Sequence, residues 1–118
     1  MAQKNKVPYR TVTVKASSRE DFIVKYVGLM ATPLGVLNMD LELLIAMVSN
    51  ASEEGKVLST PEARKEMAKS LEWSVPSLNN RVKNLCDLGA IKRTDEGYLI
   101  HEIFKPFARV IINFVKED

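Results

Sequence analysis

The spacing of apolar residues predicts four amphipathic helices in the middle of the chain. Within each helix, apolar side chains recur three or four positions apart and therefore fall on one face. A residue type that commonly caps helices precedes each of them. The predicted helices cover residues 18–31, 39–50, 61–73 and 75–88, with predicted caps at Ser17, Asn38, Thr60 and Ser74.

The apolar faces of these helices predict the core. Helix 39–50 is expected to be central, because its apolar stripe is the widest. Its predicted inner face consists of Leu41, Leu44, Ile45 and Val48, widened by Leu43 and Met47. Helix 61–73 is expected to bury Ala63, Met67, Ala68 and Leu71, and helix 75–88 is expected to bury Val75, Leu78, Val82, Leu85 and Leu88.

Short stretches of β-forming residues flank these helices. Residues 9–15 predict a strand ahead of the first helix, and residues 56–59 predict a short β segment between the second and third helices. After Gly89, residues 90–94 and 98–101 predict the two strands of a hairpin joined by a tight turn. The predicted fold class is therefore α+β and mostly helical.

The last part of the chain is apolar from Phe104 to Val115, with Pro106 near its start. This composition predicts a final helix over residues 105–116. Such a helix would pack either on the domain or on a second copy of the chain.

Length and composition support one folded domain. The chain has 118 residues, of which 46% are hydrophobic and 27% charged, a balance typical of globular proteins. A second domain with a core of its own would need a longer chain. We divide the sequence into a basic N-terminal arm with a short strand, residues 1–16, and a single domain, residues 17–118.

Several classes of protein and site do not fit the sequence. No apolar run approaches the roughly 18 to 20 residues of a membrane span, and residues 1–6 lead into polar sequence rather than the apolar stretch of a signal peptide. We therefore expect a cytoplasmic protein with no membrane partner. The single cysteine, Cys86, and the single histidine, His101, are too few for a structural zinc site.

Signatures of catalysis are also missing from the sequence. It contains no glycine-rich phosphate loop, no Ser/His/Asp arrangement and no isolated carboxylate pair in apolar surroundings. We expect no catalytic residues, no metal and no cofactor, and therefore a protein that is not an enzyme.

Charge is unevenly distributed although the net charge is only +2. Residues 1–19 contain five bases and no acid, a local charge of +5, and these bases are Lys4, Lys6, Arg10, Lys15 and Arg19. A basic arm of this kind either reaches phosphates or an acidic partner, or is simply solvated.

Residues 68–93, AKSLEWSVPSLNNRVKNLCDLGAIKR, are followed by Gly97-Tyr98. This stretch, together with the element order around it, resembles the winged helix-turn-helix superfamily over residues 39–103. The resemblance implies a helix-turn-helix at 61–88 and a wing at 90–103. The predicted N-terminal strand and helix and the predicted C-terminal helix are additions to that domain.

A narrower likeness points to plasmid or phage replication initiators of the winged-helix kind, through helix 39–50, the wing and Ile103-Phe104. One departure concerns the turn between the paired helices. Many members of the superfamily have glycine there, whereas this chain has Glu72.

The resemblance implies that helix 75–88 enters the major groove of double-stranded DNA. At about 100° per residue, its outward arc is polar and rich in amides, with Asn79 and Arg81 at the borders. Asparagine pairs with adenine and arginine with guanine, and a serine near a helix N-terminus meets phosphate. The predicted contacts to bases and nearby phosphates are Ser77, Asn79, Asn80, Arg81, Lys83 and Asn84.

Backbone phosphates are expected to meet Lys69 on the preceding helix, together with Lys92 and Arg93 on the wing. Arg64 and Lys65 either extend this phosphate clamp or are solvated. The tip of the wing carries Asp95 and Glu96, whose charge is opposite to that of a minor-groove probe.

Two functions from different classes follow. The first is a sequence-selective DNA-binding protein, a transcriptional regulator or replication-initiation factor of a phage or plasmid, which is expected to act as a homodimer. The second is a winged-helix protein that binds another protein, as a structural component of a phage particle or of a replisome. The low net charge and the acidic wing tip favour the second function.

Overall fold

The structure, a computed structural model, describes residues 10–105 and 114–116. Within these residues the chain forms four α-helices, three β-strands and two short 3-10 helices. The helices are α1, Arg19–Ala31; α2, Asn38–Asn50; α3, Pro61–Leu71; and α4, Val75–Asp87. The strands are β1, Lys56–Leu58; β2, Ile91–Arg93; and β3, Gly97–Ile100, and the 3-10 helices are Thr32–Leu34 and Glu102–Phe104.

The three strands form one small antiparallel sheet in the order β1-β3-β2. Lys56 and Lys92 both lie opposite Leu99, one on each side of β3. The sheet requires glycine at position 97, because a Cβ there would overlap the carbonyl oxygen of Val57. Gly97 thus lets β1 approach the hairpin.

The core lies between α1, α2, α4 and the inner face of the sheet. Its largest fully buried side chains include Phe104, Ile23, Leu43 and Leu44. Tyr26 in α1 donates a hydrogen bond from Oη to the carbonyl of Ile103 at 2.9 Å. The 3-10 helix at 102–104 is thereby held against α1, and Phe104 closes that end of the core.

The α+β class, the four helices and the hairpin predicted from the sequence are confirmed. The predicted N-terminal strand is wrong for the described residues 10–15, which are exposed and lie in no helix or strand. No described strand pairs with them. Alternating β-forming residues lead to a strand only when a partner strand satisfies their backbone groups.

The predicted C-terminal helix, residues 105–116, falls mostly outside the described residues. Of the described positions, Lys105 and 114–116 are not helical. A 3-10 turn that the sequence analysis did not predict occupies 102–104, since the side chain of His101 accepts a hydrogen bond from the backbone N–H of Ile103 at 3.0 Å.

Two predicted helix caps are wrong. Ser18, not Ser17, caps α1 and accepts a hydrogen bond from the backbone N–H of Asp21 at 3.0 Å. At α2 the cap position belongs to Leu37, and Asn38 is the first helical residue, with a left-handed φ of 55°. The predicted caps Thr60 and Ser74 are confirmed.

The predicted buried faces need three corrections. In α2 the fully buried residues are Leu43, Leu44, Met47 and Val48, whereas Leu41 and Ile45 are only half-buried. In α3 only Ala68 is fully buried, because α3 lies at the edge of the core. In α4 Leu88 is exposed and Val75 is half-buried.

Candidate nucleic-acid interface

A three-residue turn, 72–74, sets the angle between α3 and α4. Glu72 adopts the left-handed conformation, with φ 60° and ψ 37°. Its N–H donates to the carbonyl of Lys69 at 3.1 Å, and the N–H of Trp73 donates to that of Ala68 at 2.8 Å. This pair of bonds is a Schellman motif, which usually has glycine at the left-handed position. Glu72 therefore forms the turn without the glycine that the superfamily commonly has.

Trp73 and Ser74 fix where α4 begins. Trp73 is half-buried and packs against the core. The Ser74 hydroxyl accepts a hydrogen bond from the backbone N–H of Ser77 at 3.2 Å and donates one to the Ser77 hydroxyl at 2.9 Å. Ser77, a predicted phosphate contact, is thus part of the capping arrangement and is half-buried.

The two faces of α4 are sharply different. Leu78, Val82 and Leu85 are buried against the core. The opposite face is exposed over three turns and presents the predicted base contacts Asn79, Asn80, Lys83 and Asn84. Amide groups at successive turns of an exposed helix supply donors and acceptors together, which is what reading the edges of base pairs requires.

Arg81 is directed away from this exposed face. Its Nη1 lies 3.4 Å from Oδ1 of Asp40 in α2, and the two side chains are 37% and 15% exposed. The structure therefore separates Arg81 from the other predicted base contacts and places it in a link between α4 and α2. We define the exposed set Asn79, Asn80, Lys83 and Asn84 as the amide face.

Lys92 and Arg93, the predicted phosphate contacts of the hairpin, lie on opposite faces of the sheet. Lys92 shares the outer face with Leu99 and Lys56, since residues directly opposite in an antiparallel sheet point to the same side. Arg93 lies opposite Tyr98, and its guanidinium carbon is 5.8 Å from the centre of that ring. Lys69, the third predicted phosphate contact, is exposed in the last turn of α3.

Arg93 lines a polar cleft between the hairpin and the start of α3. We call this site the Arg64–Arg93 cleft; its lining consists of Ser59, Arg64 and residues 93–98. Arg64 donates from Nη2 to the carbonyl of Ser59 at 3.2 Å, and the Ser59 hydroxyl donates to the hydroxyl of Tyr98 at 3.3 Å. Two guanidinium groups thus border one cleft.

The Nε of Arg64 has no acceptor. Among the described residues it is the only buried side-chain nitrogen or oxygen atom without a hydrogen-bond partner. A buried donor that is left unpaired costs about 1–3 kcal/mol, and more when the group is charged. Buried donors of this kind in native folds are usually paired with an ordered water or a bound ion.

The electrostatics of these surfaces are mild. On the exposed side of α4, Lys83 is balanced by Asp87. The tip of the hairpin carries Asp95 and Glu96, which are also exposed. Base reading by the amide face would therefore depend on hydrogen bonds rather than on a strong positive field.

Cys86 follows the amide face in sequence but belongs to the inner side of α4. It is half-buried and packs against the core. Burial raises the pKa of the Cys86 thiol; the nearby charge of Arg93 lowers this pKa and that of Asp87 raises it. The thiol is therefore a poor nucleophile and acts as a small apolar side chain.

Local sequence patterns missed two features of this region. Asp40 is the partner of Arg81, yet it lies 41 residues away in the chain. Ser59 and Tyr98 come together across 39 residues to border the cleft. Pairing of β1 with β3 creates that proximity, and strand order was not predicted from the sequence.

No group of three or more metal-ligating side chains occurs within residues 10–105 and 114–116. Over the same residues, no helix has the length and apolar character needed to cross a bilayer.

No protein-family model, curated protein or solved structure matches this chain significantly. The geometry of the site is therefore the basis for a functional proposal.

Proposed function

We propose that the protein binds double-stranded DNA sequence-selectively, with α4 in the major groove. The observation that carries the proposal is the amide face: Asn79, Asn80, Lys83 and Asn84 are all exposed on the second of two helices joined by a tight turn. A helix of this width fits the major groove, where asparagine pairs bidentately with adenine. Asn80 is the proposed base-reading residue at the centre of the face.

The layout of the elements supports this proposal. The order α2, β1, α3, α4, β2, β3 and the sheet order β1-β3-β2 resemble a winged helix, in which the second helix of the pair reads bases. In this reading the hairpin β2–β3 is the wing. Transcriptional control and replication initiation, in a phage or plasmid, are the processes in which we propose that the protein acts.

Lys69, Lys92 and Arg93 are the proposed contacts to backbone phosphates. Each is exposed, and each belongs to an element next to α4 in the chain. Contacts of this kind hold the protein in register on the duplex without reading sequence. Arg81 is not proposed as a base contact, because it is paired with Asp40.

We propose that a homodimer is the binding form, since one module of this size gives limited specificity. The outer surface of α1 supplies a candidate contact, with Phe22 and Leu29, seven residues apart on one side of the helix, at 38% and 54% exposure. A symmetric pair of modules would read two half-sites about one helical turn apart.

Fluorescence anisotropy with labelled duplexes tests the proposal. A selected site and a scrambled duplex are each titrated with wild-type protein, N80A and K92A at several salt concentrations. We expect N80A to bind the selected site with a reduced preference over the scrambled duplex, because the other base contacts remain. K92A should weaken both duplexes alike and reduce the salt slope by about one unit. Absence of salt-dependent binding by the wild type at low salt would refute the proposal.

A second candidate function is protein binding, within a phage particle or replisome. The exposed apolar residues of α1 and the acidic hairpin tip favour it. Sedimentation of the protein alone distinguishes the two uses of α1. A concentration-dependent dimer that F22S/L29S abolishes supports the homodimer, whereas a monomer that does not bind duplex supports a different protein partner.

A further inference from the structure

We infer that the Arg64–Arg93 cleft binds a single phosphate group, held between two guanidinium groups. The inference extends the proposed function, because the DNA backbone is the phosphate source that we assign. The sequence left Arg64 either as part of a phosphate clamp or as a solvated base, and the contacts of the proposed function include only Arg93. Neither statement requires the two arginines to share one phosphate.

The first argument is the unpaired donor. Arg64 uses Nη2 to bind the Ser59 carbonyl, which fixes the position of its guanidinium group. Its Nε is buried and has no partner. Arg64 contributes to the lining of the cleft, and a guanidinium group commonly binds phosphate through two N–H groups at once. Because Nε is buried, a phosphate oxygen in the cleft reaches it only when the Arg64 side chain shifts toward the cleft.

The second argument is the pairing of the two arginines. Arg93 projects from the hairpin and Arg64 from α3, so that the two groups border the cleft from different elements. A carboxylate presents two oxygens in one plane and suits a single guanidinium group. A phosphodiester presents two nonbridging oxygens at a tetrahedral angle, and can accept from two guanidinium groups that approach from different directions.

The third argument concerns the acids of the cleft. Asp95 and Glu96 contribute to its lining. Over the residues that the structure describes, however, neither carboxylate forms an ion pair with Arg64 or Arg93. The hairpin tip therefore leaves both guanidinium groups without a direct ion pair, so that an external anion can bind them in competition with the two nearby acids.

Inorganic phosphate tests the site without DNA. Proton–nitrogen spectra that resolve the arginine Nε–H signals are recorded during a phosphate titration at constant ionic strength, with chloride as the balancing anion. We expect the signals of Arg64 and Arg93 to shift together along one saturable curve, while the exposed Arg19 stays unchanged. R64Q should abolish the shift at Arg93, and K65Q, an equal charge change outside the cleft, should not.

Shifts that never saturate, or that follow separate curves for the two arginines, would overturn the inference. R64K controls for folding, because it keeps the charge but removes Nε and the second N–H group. If R64K melts like the wild type yet loses the saturable shift at Arg93, the geometry of the guanidinium group is responsible. If R64K retains that shift in full, the inference is wrong.

Duplex DNA tests the assigned source. If two arginines share one phosphate, each single variant, R64Q or R93Q, still has one arginine on that phosphate. Each should therefore bind duplex more weakly with little change in salt slope. The double variant R64Q/R93Q loses the phosphate contact and should lower the slope by about one unit. A fall of about two units would indicate separate phosphates and contradict the inference.

The two proposals fail in different ways. Saturable phosphate binding without duplex binding would refute the proposed function and the assigned phosphate source, but not the cleft as a phosphate site. Duplex binding that is unaffected in R64Q/R93Q, without saturable phosphate binding, would refute the cleft and the phosphate contact proposed for Arg93, but not base reading by α4.

Discussion

Arg81 in α4 and Asp40 in α2 form an ion pair at the edge of the contact between the two helices, with 3.4 Å between Nη1 and Oδ1. Asp40 lies in the first turn of α2, where a negative charge is also favoured by the helix dipole. The pair orients α4 on α2 without using any residue of the amide face. It thus gives Arg81 a positioning role, separate from the base contacts proposed for its neighbours.

A double-mutant cycle tests that role. D40A, R81A and D40A/R81A should show a coupling free energy of about 0.2–1 kcal/mol in denaturant unfolding, because the pair is only partly buried. R81A should keep its preference for the selected duplex over the scrambled one. A coupling of zero together with a loss of preference would mean that Arg81 reads bases instead.

Glu72 should be replaceable by glycine with a gain in stability. The left-handed backbone conformation at position 72 costs a residue with a Cβ about 1–2 kcal/mol, and glycine avoids this cost. Part of the gain is lost because glycine gives the unfolded chain more conformational entropy. We expect E72G to raise the free energy of unfolding by roughly 0.5–1 kcal/mol. E72A removes the same charge but keeps the Cβ, so an equal gain in E72A would contradict the explanation.

Gly97 should be among the least replaceable residues of the sheet. A Cβ at this position overlaps the Val57 carbonyl, so that β1 must move away from β3. We expect G97A to lower the free energy of unfolding by about 1–3 kcal/mol and to speed hydrogen exchange at Ser59, whose N–H donates to the carbonyl of Glu96.

Gly28 provides the matched control for G97A. It lies within α1, and a Cβ there would have no atom within 4 Å. G28A should therefore stabilise the protein by roughly 0.5–1 kcal/mol through helix propensity. Similar effects of the two substitutions would show that the close approach to Val57 is unimportant.

Alkylation of Cys86 should have a pH midpoint above that of an unfolded cysteine, because burial raises the pKa of the thiol. Folding favours the neutral thiol over the thiolate. The stability that comes from burying the neutral thiol is therefore complete below the pKa that Cys86 has in the unfolded chain. It is lost as pH rises through the folded pKa. Iodoacetamide kinetics from pH 7 to 10 measure the midpoint, and R93Q should raise it further by removing a cation. A midpoint equal to that of the unfolded chain would contradict burial of the thiol.

Neutralising the hairpin tip should strengthen DNA binding. Asp95 and Glu96 repel phosphates near the Arg64–Arg93 cleft. D95N/E96Q should increase affinity for selected and scrambled duplexes alike, by roughly twofold for each charge removed at low salt. E54Q is the control, since Glu54 is paired with Lys56 away from the cleft. Weaker binding by D95N/E96Q would place the hairpin tip in a different role.

Local patterns in the sequence were sufficient for most elements of the fold. Thr60 and Ser74 cap α3 and α4 as predicted, and Gly89 takes the left-handed position after α4, because these preferences depend on neighbouring residues alone. The predicted strand at residues 9–15 failed in its described part for the opposite reason. A strand depends on a partner that local alternation does not reveal.

The candidate site was predictable to a similar extent. The helical wheel placed Asn80, Lys83 and Asn84 on the outer side of α4, where they are exposed. The wheel placed Arg81 at the border between the inner and outer sides of α4. Only the position of Asp40 in α2 shows that the Arg81 side chain points away from the amide face. Likewise, Lys92 and Arg93 are adjacent in sequence but face opposite sides of the sheet, which follows from their register with Leu99 and Tyr98.

The most direct test of the central claim, that the amide face of α4 reads bases, is selection of bound duplexes from a random pool. Wild-type protein and N80A are compared under the same salt conditions. We predict that the wild type enriches one short motif and that N80A loses base preference at a single position of each half-site, where the preferred base is adenine. Two results would contradict the claim. In the first, N80A enriches the same motif as the wild type, with unchanged base preference at every position. In the second, the wild type enriches no motif.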